Sequence, residues 1–271
     1  MRHSSKPTRL KKRCNEALMT LGVPPRLHPQ RQQTLACDLA AYQQQLNRAA
    51  DPIRAAGMSA YMRHQFSFIG IPTPVRRKLI QAIEISAAQQ YGESDLLKLA
   101  QALWQQPERE YHYCAIELLI RGQAKLSLAA LPVIEQLICT QSWWDSVDTL
   151  ASKVVGQLAR HQPELLAQLD QWPTSPNLWL RRTAILYQLN WKTNTDTVRL
   201  FHACRVNAAD TDFFIRKAIG WALRQYARTD LLAVQQFVAQ TALSPLSRRE
   251  ALKQHLQSIS VENFVRLTSI S

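Results

Sequence analysis

The strongest constraint on what this chain can fold into is a motif that returns about every 34 residues. Residues 111–118 (YHYCAIEL), 180–187 (LRRTAILY) and 214–221 (FIRKAIGW) align, with a weaker copy at 147–154 (VDTLASKV). The alanines they share, Ala115, Ala151, Ala184 and Ala218, are spaced by 36, 33 and 34 residues. Periods of this size mark stacked helix pairs, in which a small residue at a fixed position lets neighbouring helices approach closely. The expected fold class is therefore all-α: a curved solenoid of helical repeats, an α-α superhelix whose concave face is the natural binding surface.

Composition agrees. The chain has only 7 glycines in 271 residues, fewer than strands joined by tight turns require. Leu, Ala, Gln and Arg, all good helix formers, are abundant. Breaks in the helical pattern fall at Pro72–Pro74, Glu93–Ser94, Pro107, Pro132, Thr140–Ser142, Pro163, Pro173–Pro176, Thr193–Asp196, Ala208–Thr211 and Ser244–Pro245. The segments between them have lengths usual for globular helices. Residues 1–30, basic and interrupted by Pro7, Pro24, Pro25 and Pro29, are expected to form a flexible extension ahead of a single repeat domain over 31–271.

The formal charge of +13 points to a polyanionic partner, and it is uneven. Residues 1–35 contribute +7, so the remainder still carries +6. The five cysteines are odd in number and include no C-x-x-C pair, which argues against a disulfide framework or a zinc site. No apolar run is long enough to span a membrane, and the basic N-terminus lacks the apolar core of a secretory signal. A soluble, intracellular protein, a cytoplasmic monomer, is expected. Gly-rich phosphate loops, H-E-x-x-H and G-x-S-x-G are missing, so neither metal nor cofactor is expected.

Four stretches could carry chemistry. In 142–148 (SWWDSVD), Ser142 is placed as an N-cap and Asp145 as its capping-box partner, which leaves Asp148 without such a job. Asp148 lies about 40° from Trp144 on a helical wheel, at the edge of an apolar stripe of Trp143, Val147, Leu150, Ala151, Val154 and Leu158. An acid beside a tryptophan there is either a functional pair or the partner of an arginine. Arg182 falls inside the stripe of Leu178, Ile185, Leu186 and Leu189, so it must reach a phosphate or an internal acid. Trp221 sits about 120° from the apolar face formed by Ile215, Ala218, Ile219, Ala222 and Tyr226, among Lys217, Arg224 and Arg228. It suits a stacking platform or a contact with the next repeat. Around the stiff loop Gly70–Pro74, Tyr61, Arg63, Arg76 and Arg77 form a basic, aromatic group or a solvated helix corner.

Together, 61–77, 107–109 with the following helix, 142–148, 177–190 and 213–227 resemble the DNA alkylation repair family, the AlkD-like DNA glycosylases built from HEAT-like repeats. The resemblance covers roughly residues 35–250. It implies a repair glycosylase that hydrolyses the N-glycosidic bond of cationic alkylated purines, of the 3-methyladenine or 7-methylguanine type. The substrate would be double-stranded DNA containing alkylated bases, and the base would stay in the duplex. By residue, it implies Asp148, Trp144 and Trp221 beside the lesion, Arg182 on a phosphate and Tyr61 as the N-terminal aromatic. Arg63, Arg76, Arg77, Lys217, Arg224 and Arg228 complete the expected DNA-contacting set. The reading from another class is a non-catalytic helical-repeat protein that binds DNA or RNA with the same basic surface.

Overall fold

Helix starts follow local capping chemistry. The computed structural model describes residues 29–253, with side chains from residue 33 onward. Apart from its last two residues, which already belong to the first helix, the extension expected over 1–30 lies outside the described residues. In order, the helices are α1 (Pro29–Arg48), α2 (Pro52–Tyr61), α3 (Thr73–Gln90), α4 (Glu93–Trp104), α5 (Arg109–Arg121), α6 (Leu131–Cys139), α7 (Trp144–Thr149), α8 (Gly156–His161), α9 (Leu166–Leu169), α10 (Leu178–Leu186), α11 (Thr197–Val206), α12 (Phe213–Tyr226) and α13 (Leu231–Gln240). Residues 245–253 are also helical. No strand occurs among the described residues, so the chain is all-α. None of the described helices is long and apolar enough to cross a membrane. The four described cysteines are free, with Cys114 and Cys204 buried.

Asp51, Asn177, Asp196, Asp212 and Asp230 each accept a backbone N–H from the first turn of the helix they precede. Asp212 caps α12 through Phe214 N and Ile215 N, at 2.6 and 3.3 Å. Replacing Asp212 by Ala should cost about 1 kcal/mol and lower the unfolding temperature by about 2–4 °C, readable by calorimetry.

The chain divides into two compact units between Val133 and Ile134. In the first, α1 packs on α3 and α4, and α5 packs on α3 and α4. Its core includes Leu35, Leu39, Tyr42, Ile80, Leu96, Leu99, Leu103 and Ala115.

In the second unit α10 occupies the middle. It packs on α7, on the segment that follows α7, on α11 and on α12, and α12 in turn packs on α13. Ala151, Ala184 and Ala218 are all buried in this unit, as their shared place in the repeat requires. The expected continuous helix after Trp143 is interrupted, because Leu150–Val155 winds as a π-helix between α7 and α8. Such wide turns leave carbonyls short of partners. Here the Asn190 amide donates to Ser152 O (3.3 Å) and the Trp191 indole to Gly156 O (3.0 Å). Gly156 itself is required, since a Cβ there would lie 2.1 Å from Tyr187 O.

Candidate functional site

In the second unit the two residues out of place in the sequence prove to be partners. Arg182 Nε donates to Asp148 Oδ1 at 2.7 Å and Nη2 to Oδ2 at 2.8 Å, a bidentate pair. Arg182 Nη1 donates to Phe214 O at the start of α12, so one guanidinium ties α7 to α12 from its place on α10. The side chains are largely buried, 14% exposed for Asp148 and 5% for Arg182. Beneath them lies an aromatic cluster. Trp143, Trp179 and Phe214 have ring centroids 5.0–6.0 Å apart, and the Arg182 guanidinium stands 5.9 Å from the Phe214 centroid.

Burial pushes the Asp148 carboxyl above its ordinary value, the Arg182 hydrogen bonds and charge pull it back, and nearby Asp145 raises it again. The net direction is upward, so desolvation outweighs pairing. A carboxylate offers about four lone-pair positions, of which Arg182 takes two. The carboxylate is thus not saturated by Arg182, and its side chain keeps 14% of its surface exposed.

One expectation for this region changes, and two alternatives left open by the sequence take their internal form. Ser142 is not the N-cap: its hydroxyl donates to Ile138 O (2.7 Å), and Trp143 occupies the cap position with no side-chain hydrogen bond. The distinction between the aspartates thus rests on the Arg182 pair rather than on a capping box. Arg182 is turned inward onto Asp148 and Phe214 O, which makes it a positioning residue for the carboxylate before anything else. Trp221 is half-buried and packs against the unit's core, so it is not a freely solvated ring. Trp144 is likewise half-buried.

The basic stripe around Trp221 is partly neutralised. Lys217 Nζ and Arg224 Nη1 both reach Glu250, at 3.3 and 2.6 Å, on the helical stretch 245–253. These cations hold the Glu250 carboxyl below its usual range. Arg228 is exposed.

In the first unit the expected group separates into surface and interior. Tyr61 is 71% exposed, and Arg63 is exposed in a left-handed backbone conformation at φ 56°. Arg76 is the correction. It is 3% exposed, paired with Glu117 at 2.8 Å and stacked over Tyr113, so it cannot meet a phosphate as placed. Arg77 is exposed but shares Glu117, at 2.7 Å.

Sequence reasoning missed what fixes this region. Glu110, fully buried, accepts three backbone N–H groups from Ile69 (2.9 Å), Gly70 (2.8 Å) and Ile71 (3.0 Å). Gly70 has φ 96° and lies where a Cβ would strike Asp51 O. Buried Arg109 stacks on Phe66 at 3.8 Å and lies 3.0 Å from His112 Nδ1, while His112 Nε2 meets Gln106 O at 3.0 Å. Arg109 can only donate, so His112 is the neutral, Nε2-protonated tautomer. The only local signal for Glu110 is its place in the first turn of the helix that follows 107–109. Partners some forty residues away cannot be read from that.

No curated protein matches the chain. Among solved structures, a predicted DNA alkylation repair enzyme from Enterococcus faecalis is similar, with 35% identity and a TM-score of 0.72 over 75% of this chain and 95% of that one. The family model described as DNA alkylation repair enzyme matches residues 42–255. That span holds Tyr61, the Glu110-bound loop, the Asp148–Arg182 pair and Trp221, and this chain belongs to the DNA alkylation repair enzyme family.

Proposed function

We propose that this protein is a DNA glycosylase that hydrolyses the N-glycosidic bond of alkylated, cationic purines in duplex DNA without flipping the base. The observation that carries the reading is Asp148, a largely buried carboxylate oriented by Arg182 and flanked along its helix by Trp144. An alkylated purine already bears positive charge and leaves as a neutral base with the bonding electron pair. What the reaction requires is stabilisation of the oxocarbenium-like sugar and a positioned water. Asp148 supplies the negative charge and accepts the proton as water adds to the sugar carbon. Trp144 and Trp221 present electron-rich ring faces to the cationic sugar and base. Tyr61, Arg63, Arg77 and Arg228 are exposed and suited to the DNA backbone. Lys217 and Arg224 would exchange Glu250 for phosphate.

Activity should depend on ionised Asp148. Its carboxyl sits above the ordinary value, chiefly through burial, so acidification protonates it at a pH where a solvated aspartate is still charged. The acid limb of single-turnover base release is therefore expected above the usual carboxylate value of about 3.9. An acid limb at or below that value would argue against Asp148 as the essential base.

The decisive experiment is incubation of the purified protein with methylated duplex DNA, followed by assay for free methylpurines. Release above the spontaneous rate is expected. Tight binding to DNA without release would favour the non-catalytic binder.

A further inference from the structure

A second feature of the Asp148-containing unit shares only Arg228 with the residues assigned above. A pocket of about 290 Å3 is lined by α10 and the turn after it, by Leu200 of α11, and by the C-terminal end of α12 with the residues that follow. Its floor is apolar, from Ile185, Leu189, Leu200 and Ala222. Its rim is polar and cationic, with Lys192, Gln225 and Arg228. The volume is at the lower end of pockets that hold small ligands (about 300–1,000 Å3). An apolar floor under two cations suits a phosphate ester whose sugar rests on the floor.

Lys192 is the unusual residue. It is exposed in a left-handed conformation at φ 54°, and its ammonium meets no acid among the described residues. Backbone of this kind is unfavourable for an L-residue with a Cβ, and Gly or Asn are the usual occupants. The turn is nevertheless fixed on every side. The Gln188 side chain donates to Asp196 O (3.2 Å) and accepts from Asp196 N (2.7 Å). Asn190 and Trp191 hold the π-helical segment and its successor helix, and the Thr195 hydroxyl donates to Lys192 O at 2.7 Å. A lysine on a braced turn has the root of its side chain fixed beside the pocket, with the ammonium free to reach over the rim. On the opposite rim, Gln225 is one turn beyond Trp221 on α12, and Arg228 lies in the turn that follows the helix.

We propose that this pocket is a phosphate-binding subsite, in which Lys192 and Arg228 hold a phosphodiester of the DNA strand that passes Trp221. The inference rests on the reading that the protein binds DNA, but its test does not depend on base release.

The test is equilibrium binding of the full-length protein to undamaged duplex DNA across a salt series. Lys192→Asn keeps a residue that tolerates the left-handed backbone, so the unfolding temperature should not fall. Its affinity is expected to drop about 5–10-fold near 0.1 M salt, with the log–log salt slope shallower by about 1. Lys192→Arg should retain both. In parallel, a deoxynucleoside monophosphate is titrated alone while the amide signals of Thr195, Gln225 and Thr229 are followed. If Lys192→Asn leaves affinity and slope unchanged, the proposal fails. Should the free nucleotide then saturate the pocket at micromolar concentration, the occupant is a soluble nucleotide instead of a strand. Methylpurine release by Lys192→Asn at saturating enzyme separates loss of this subsite from failure of the glycosylase reading.

Discussion

Replacing Asp148 by Asn is expected to slow methylpurine release by about 10²–10³-fold, the size of effect seen when a preorganised electrostatic group is removed from a reacting centre. The measurement is single-turnover release from methylated duplex DNA. The ion pair complicates the variant in a useful way. Breaking a buried pair on one side costs about 3–5 kcal/mol, because the remaining charge is stranded. Asparagine still accepts one of the two Arg182 hydrogen bonds, so part of that loss is expected, as a lower unfolding temperature. A second variant separates stability from chemistry. Asp148→Leu combined with Arg182→Leu removes both buried charges. It should be at least as stable as either single leucine variant and remain inactive. Near-full activity in either Asp148 variant would remove the carboxylate from the reaction and leave the pair a structural strut.

Replacing Glu110 by Ala should have the largest effect on stability. It leaves three buried N–H groups, those of Ile69, Gly70 and Ile71, without an acceptor. Each unsatisfied buried donor costs about 1–3 kcal/mol, so even with partial relaxation about 4 kcal/mol is expected, or roughly 10 °C in unfolding temperature. Glu110→Gln keeps a carbonyl acceptor and should lose distinctly less. Equal losses in the two variants would mean that side-chain packing, and not the carboxylate, holds the loop. Because the loop follows α2, which ends at Tyr61, Glu110→Ala should also weaken binding to undamaged DNA at temperatures where the protein stays folded.

Much of the helical frame was legible beforehand. The breaks at Pro72–Pro74, Glu93–Ser94, Pro107, Thr193–Asp196 and Ala208–Thr211 all coincide with helix boundaries, because proline geometry and Asp or Asn caps act over three or four residues. The apolar stripe after Trp143 is buried as expected, from Val147 to Leu158. Local pattern failed where a partner came from elsewhere. The π-helical turn at Leu150–Val155 keeps the same apolar spacing as an α-helix to the eye, and it is supported from a distance, by Asn190 on its Ser152 carbonyl and Trp191 on that of Gly156 just after it. Arg76 looked like a surface cation because its acid, Glu117, is forty-one residues away on α5.

By itself, then, the sequence determined what acts within one turn or one repeat: the helices, their caps, the recurring alanines, and the two residues that did not suit their places, Asp148 and Arg182. Their spacing of thirty-four residues equals one repeat, yet nothing in either helix alone says that each answers the other. Only the tertiary structure decided that, along with which cations are exposed and which are spent on Glu117 or Glu250. The physical reason is range. Capping and periodicity are set by neighbours along the chain, whereas the partner of a buried charge is set by which helices pack together.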